Sequence, residues 1–455
     1  MNLNSANPLL TDLYQLTMAH AYFEHGLNET AVFELYVRRL PRSRRYLLVA
    51  GLEHAIEYLE QLHFAPQDIE FLRGLGTFPG AFLDHLAGLR FTGTVHAMAE
   101  GTPFFADEPI LRVRAPILQA QLVESRLLNI FHFQTMIASK AARCVTVARD
   151  RRLIDFGMRR AHEASAGLFA ARAAFIAGFD GTATVEAGRQ FGIPLSGTMA
   201  HSFIEAHDRE EDAFRNFVAS RPEAATLLID TYNTERAAHR VAALARELET
   251  QGKGRPIRAV RIDSGDLASQ ARAVRAIFDR EGCRDIQIVL SGGFDEYLVD
   301  ELLRAGAPVD AFGVGTSLDV SVDAPSLDMA YKLQEYAGKP RRKRSPGKAT
   351  WPGTKQVFRE RGAGGQLIRD SIALAGEKVA GEPLLREVIR NGRRTAPAPA
   401  LAEIRDFCSR ELRALPPSVR ELADADPTAP PFPVLISDAL RELAARVDAE
   451  ADRPF

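Results

Sequence analysis

The chain has little sulfur and little tryptophan, with three cysteines and one tryptophan in 455 residues. Cys144, Cys283 and Cys408 are an odd set, far apart and without metal-type spacing. That pattern excludes a disulfide framework and predicts buried thiols in a reducing compartment. Charge of one sign is missing as well: 57 basic residues face 59 acidic ones, a formal net charge of -2. No general field draws the chain to nucleic acid or to an anionic membrane, so any phosphate binding has to be local. No apolar run is long enough to cross a bilayer without charges, and Met1-Asn2-Leu3-Asn4 lacks the basic-then-apolar pattern of a signal peptide. The expectation is a cytoplasmic protein. A G-x-G-x-x-G at a first strand–helix turn is also absent, which weakens a dinucleotide-binding fold.

What is present is aliphatic bulk and a changing rhythm. The length favours two intimately packed domains. Leu9, Leu13, Leu16 and Phe23 recur at helical spacing, the alternation over Ala31–Arg38 reads as a strand, and a helix is expected over Leu47–Leu62. The stretch Phe91–Val113 reads as short strands between glycine and proline turns. From about Pro116 a short apolar strand, a polar tip and an amphipathic helix repeat. The expected strands are Leu153–Phe156, Pro194–Gly197, Ala225–Ile229, Ala259–Ile262, Ile286–Leu290 and Ala311–Val314. The helices include Thr234–Thr250, Asp266–Arg280 and Asp295–Gly306. Such alternation predicts a parallel sheet, and six units with polar tips fit a barrel better than an open sheet. After Tyr331 the chain turns basic and Pro/Gly-rich over Lys339–Lys348, then Pro-rich at Pro416–Pro417 and Pro427–Pro433, with a last amphipathic helix at Ser437–Glu450. The expected fold class is α/β. Residues 1–115 form an α+β lobe, 116–335 an irregular, incomplete barrel of parallel strands, and 336–455 a basic hairpin and C-terminal segment packing on that lobe.

In such barrels functional groups gather at the C-terminal strand ends. The tips here carry Asp155 to Arg160, Ser196 to His201, Asp230 to Thr234, Arg261 to Asp266, Ser291 to Gly293 and Gly313 to Thr316. Acids, two arginine sites, a histidine and two glycine turns together suit an anionic, phosphate-bearing substrate and a metal. Gly292, Gly293, Gly315 and Thr316 either make tight turns or offer backbone N–H groups to a phosphate. Asp263 and Asp266, flanking Ser264 and Gly265, suit ribose hydroxyls or Mg²⁺, while Asp266 could equally cap the following helix. Arg261 inside a barrel is costly unless it meets an anion. His201 stands near the mouth, and His207 falls in an acidic helix as a solvated residue.

The segments TDLYQLTM at 11–18, FGMRR at 156–160, GTMAHS at 197–202, RIDSGDL at 261–267, GVGT at 313–316 and YKL at 331–333, with PGTK at 352–355, resemble the nicotinate phosphoribosyltransferase family, in its order. The resemblance implies the type II phosphoribosyltransferase fold and a homodimer with its active site at the subunit interface. It implies conversion of nicotinate and 5-phosphoribosyl 1-pyrophosphate to nicotinate mononucleotide and pyrophosphate, with ATP as co-substrate, in salvage toward NAD. His201 is then the histidine that ATP phosphorylates. Tyr14, Thr198 and Arg261 contact nicotinate, and Thr316 meets the 5′-phosphate. The chemistry agrees: Tyr14 or Phe156 would sandwich the ring, Asp263 would hold ribose hydroxyls, and Arg159 or Arg160 with Mg²⁺ would neutralise pyrophosphate.

Three rivals remain. A nicotinamide or quinolinate phosphoribosyltransferase stays within the fold, the quinolinate enzyme demanding a denser basic cluster and giving His201 no role. A non-catalytic phosphosugar-binding barrel leaves histidine, acids and arginines together unexplained. A lyase or aldolase would need Lys332 as a Schiff-base lysine.

Overall fold

The computed structural model describes residues 7–422, 428 and 430–451, so the N-terminal tetrapeptide and Pro427 of the sequence reading lie outside it. The chain divides into two units, one made of residues 140–325 and the other of residues up to 139 together with those from 326 on. The lobe expected over 1–115 thus also takes in the start of a long helix, Glu124–Ala148, that passes from one unit into the other.

The 140–325 unit holds six strands: β1 (Arg152–Asp155), β2 (Gly181–Thr182), β3 (Ala225–Leu228), β4 (Ile257–Ile262), β5 (Gln287–Ser291) and β6 (Ala311–Val314). All neighbours pair in parallel, in the order β2-β1-β6-β5-β4-β3. The two edges do not pair with each other, so the sheet is an incomplete barrel. Every inward side chain has to fill a parallel sheet covered by helices, which is why these strands run nearly unbroken in apolar residues. Ala259, Val289 and Ala311 on three adjacent strands form one buried cluster. Phe294 and Phe312 meet edge to face at 5.1 Å, and burying each such side chain contributes about 1.5–3 kcal/mol.

The helices obey their periodicity. Thr234–Thr250 buries Ala237, Ala238, Val241, Ala242, Leu244 and Leu248, and the Asn233 side chain caps it by accepting from Arg236 N at 2.9 Å. The strand expected at Pro194–Gly197 is reduced to a single bridge from Leu195 to Thr182. Pro194 has no N–H to give, and the two-residue β2 takes the place beside β1.

The other unit is built from both chain ends. Its seven-stranded sheet runs in the order Lys339–Pro340, Met329–Tyr336, Thr30–Val37, Leu111–Pro116, Thr94–Ala97, Arg386–Arg390 and Arg393–Arg394. The strand Thr30–Val37 is buried on both faces, and its Glu34 is neutralised by buried Lys355 at 2.8 Å. A four-stranded sheet contains Lys355–Arg361 and Leu367–Leu374. The last helix, Asp438–Ala451, lies against Leu367–Leu374 in this C-terminal sheet, and Arg342 of the basic stretch pairs with its Asp448 at 3.0 Å.

Candidate functional site

β4 ends in Arg261-Ile262, with Asp263 just past it, and alternation along the strand turns Arg261 inward beside its neighbours. Its side chain is 12 % exposed. Nε donates to Ser291 Oγ at 2.7 Å, Nη1 to Met199 O at 3.3 Å and Nη2 to Asp263 Oδ1 at 2.8 Å. Three of the five guanidinium N–H groups are thereby used, and two remain on the terminal nitrogens. The guanidinium also lies over the Phe156 ring, 5.8 Å from its centroid. Phe156 follows β1, and its ring fills the space that a side chain at Gly313 would occupy. A planar cation stacked on an aromatic ring makes one wall of a slot for a flat anion.

Asp263 closes the group. Burial pushes its carboxyl up, but hydrogen bonds from Arg261 and Ser291 outweigh burial and hold it below the usual carboxylate range. Its backbone N–H donates to Asp230 Oδ2 at 2.9 Å, and Ser264 Oγ donates to the same oxygen at 2.7 Å. Asp230 lies just past the end of β3, with its side chain 2 % exposed; its other oxygen, Oδ1, is buried without a hydrogen-bond partner and lies 4.0 Å from His201 Nε2. His201 opens the helix His201–Glu205, and its Nδ1 is paired with Thr231 Oγ1 at 3.1 Å. Thr231 therefore holds one ring nitrogen of the histidine, and the Asp230 carboxylate stands near the other without a hydrogen bond to it. The sequence reading missed both in this role; their signal was a polar pair closing the apolar run Leu227-Leu228-Ile229.

The two glycine turns end the adjacent strands β5 and β6. Gly292 has φ +110°, and a Cβ there would meet Asp263 O at 2.3 Å; Gly293 has φ +72° and open space around it. Gly292→Ala is thus strained twice, by conformation and by contact. We expect it to cost about 1–3 kcal/mol, read as a lower thermal midpoint, with activity falling as Ser291 leaves Asp263. Unchanged stability would contradict this reading. Gly315 precedes Thr316, the first residue of a one-turn helix ending at Asp319.

The remaining candidates divide. Arg159 and Arg160 sit in a short 3₁₀ turn at Met158–Arg160, exposed, and neither guanidinium has an ion-pair partner among the described residues. Thr198 donates its hydroxyl to Thr226 O at 2.8 Å. Both carboxylate oxygens of Asp266 are engaged in capping Leu267–Arg280, accepting from Ser269 N at 3.0 Å and Ser269 Oγ at 2.8 Å. His207 stands in the turn after the His201–Glu205 helix, bound to Phe203 O at 2.8 Å, rather than in a helix of its own. Tyr14 belongs to the other unit, 48 % exposed on the helix Leu13–Glu24. There Lys332 pairs with Glu124 at 3.1 Å, engaged rather than poised as an amine nucleophile. The three cysteines are buried free thiols.

Among the described residues no group of three or more His, Cys, Asp or Glu could cage a metal ion. The donor set fits Mg²⁺ carried chiefly on substrate phosphates, since that ion keeps most of its shell as water and phosphate oxygens and needs only one or two carboxylates. Asp230 Oδ1, buried and without a hydrogen-bond partner among the described residues, is an oxygen of the kind such an ion would need.

Comparison with known proteins follows the same lines. Residues 9–132 match the nicotinate phosphoribosyltransferase N-terminal domain, 151–341 the nicotinate phosphoribosyltransferase family, and 378–444 its C-terminal domain. The nicotinate phosphoribosyltransferase pncB2 of Mycobacterium tuberculosis is 47% identical over 440 residues, covering 96% of this chain and 93% of its own. That of Bacillus subtilis is 41% identical over 386 residues, 83% of this chain and 78% of its own. The crystal structure of the human nicotinic acid phosphoribosyltransferase superposes with a TM-score of 0.86 at 29% identity, over 96% of this chain and 99% of that one.

Proposed function

This chain belongs to the nicotinate phosphoribosyltransferase family and has that enzyme's place in NAD biosynthesis, and from that premise we propose how its residues divide the reaction and that ATP hydrolysis is coupled to it through His201. The observation that carries the proposal is Arg261, stacked on Phe156 with two N–H groups left over. A pyridine ring lies on Phe156, while its carboxylate takes the two free N–H groups as a charge-assisted pair. Thr198 borders that ring. The 5′-phosphate of phosphoribosyl pyrophosphate rests on the turns Gly292–Gly293 and Gly315–Thr316. Arg159 and Arg160 face the pyrophosphate.

The pyridine nitrogen attacks the anomeric carbon as the bond to pyrophosphate breaks, through an oxocarbenium-like state. Asp263, held ionised by its partners, and Ser264 receive the ribose hydroxyls and favour the developing positive charge. Mg²⁺, when bound, neutralises the leaving pyrophosphate; Asp230 and Asp263 would hold it. In the coupled step a ring nitrogen of His201 attacks the γ-phosphorus of ATP, ADP departs, and the phosphorylated histidine is later hydrolysed. That step makes the enzyme ATP-dependent, with ligase-type energetics and glycosyl-transfer chemistry.

The working form is a homodimer with the site at the interface. The exposed apolar side chains Met158, Val185 and Leu195 of one unit, and Leu13 and Tyr14 of the other, support that reading. The buried free thiols fit a cytoplasmic setting. The test is incubation with Mg²⁺, phosphoribosyl pyrophosphate and nicotinate or nicotinamide, with and without ATP. Nicotinate mononucleotide should form, more of it with ATP, and nicotinamide should be used at least about a hundredfold less efficiently, because it offers Arg261 no charge. No mononucleotide from either base would end the proposal, and equal use of both would end the assignment of Arg261.

A further inference from the structure

The tips of β1 and β6 carry a feature that the reaction above does not use. Asp155 closes β1 and sits beside Val314 of β6; Asp319 closes the one-turn helix that follows β6. Both side chains are buried, 0 % and 1 % exposed. The two oxygens of Asp155 accept from Gly157 N at 2.8 Å and from Thr182 Oγ1 at 2.6 Å. Neither oxygen of Asp319 has a protein donor among the described residues. The Asp319 carboxyl instead fills the place of the side chain that Gly157 lacks: a Cβ there would lie 2.2 Å from it.

Two adjacent buried carboxyls without a counter-cation cannot both be ionised. Asp155, which receives two donors, is suited to the charge, and Asp319, which receives none, to the proton. We infer that Asp319 donates a shared proton to Asp155, and that this pair is a positioning device locking the Gly315–Thr316 turn to the Gly157–Arg160 turn for binding of phosphoribosyl pyrophosphate. The inference rests, for its substrate, on the phosphate roles proposed above for those turns. Burial first, and then the charge of Asp155, push the Asp319 carboxyl up to about 9. The charge acting on it is that of Asp155, not of Arg159 and Arg160 in the 3₁₀ turn or of Arg172 on the packed helix Ala164–Ala177.

The linkage has a definite sign. The folded chain keeps a proton that the unfolded chain releases in the ordinary aspartate range. The pair's stability contribution is therefore full below that range and is lost as pH rises, completely by about pH 9. Asp319→Asn keeps a donor toward Asp155 and cannot titrate. The gap in thermal midpoint between this variant and the wild type should widen with pH and level off above about 9.

Infrared difference spectra of the whole enzyme at neutral pH, wild type minus Asp319→Asn, should show a carboxylic-acid C=O band. Asp319→Ala, which removes the donor, should raise KM for phosphoribosyl pyrophosphate about tenfold, and Asp319→Asn should stay within about threefold of wild type. A missing band, or a midpoint gap that is flat with pH, overturns the shared proton whatever the turns bind. A band with unchanged KM in Asp319→Ala overturns the positioning role. Failure of the phosphate assignment is separate: Thr316→Ala would leave KM unchanged with the band intact.

Discussion

Replacing Arg261 with alanine should lower kcat/KM for nicotinate by about 10²–10³, or roughly 3–4 kcal/mol, and should change nicotinamide use far less. The size follows from what the side chain holds. It leaves two N–H groups for the substrate carboxylate in the arrangement proposed above, and it ties Ser291, Met199 and Asp263 into one frame. Alanine removes the anion partner and leaves the half-buried Asp263 with fewer donors. Arg261→Lys separates the two effects, because it keeps the charge and loses the planar fork. It should recover little activity if bidentate geometry matters and most of it if charge alone does. Steady-state kinetics on both bases decide the matter, and a loss under threefold in Arg261→Ala would remove the residue from nicotinate binding.

The second large effect is at His201. In His201→Ala the nicotinate-stimulated hydrolysis of ATP should fall by about 10³ or more, since the proposed step is attack by its ring nitrogen on the γ-phosphorus. Slow, ATP-independent transfer to nicotinate should survive, because Arg261, Phe156 and Asp263 still orient the reactants. Thr231 and Asp230 flank the ring from opposite nitrogens. Simultaneous assay of ADP and nicotinate mononucleotide reads both activities. ATP turnover that remains stoichiometric with product in the variant would refute the phosphohistidine.

Local signals carried the fold reading well. The helix Thr234–Thr250 and the strand Ala311–Val314 stand where periodicity put them, because their burial pattern is written in consecutive residues. Asp266 is the cap that its alternative reading made it, and Asp295, expected as the first residue of its helix, is likewise the cap that precedes it. β2 escaped notice because two residues, Gly181 and Thr182, carry no period. In the site, Arg261, Asp263 and His201 were legible as polar residues at strand tips. What joins them was not: Asp230 meets Ser264 across 34 positions, and Asp319 reaches β1 from a turn whose sequence reads only as a glycine loop. Partners brought together by the sheet leave no mark on either local segment.

The seven-stranded sheet also sets an order in time. Its strand Thr94–Ala97 pairs with Arg386–Arg390, so during synthesis that edge stays bare until nearly three hundred further residues have emerged. The parallel sheet of the 140–325 unit has all six strands well before then. A ribosome-bound chain thus completes its inserted half first, and holds the flanking half open with an unpaired strand edge, the kind of surface on which chains adhere to one another. Premature termination between Val314 and Arg386 would strand the protein in that state.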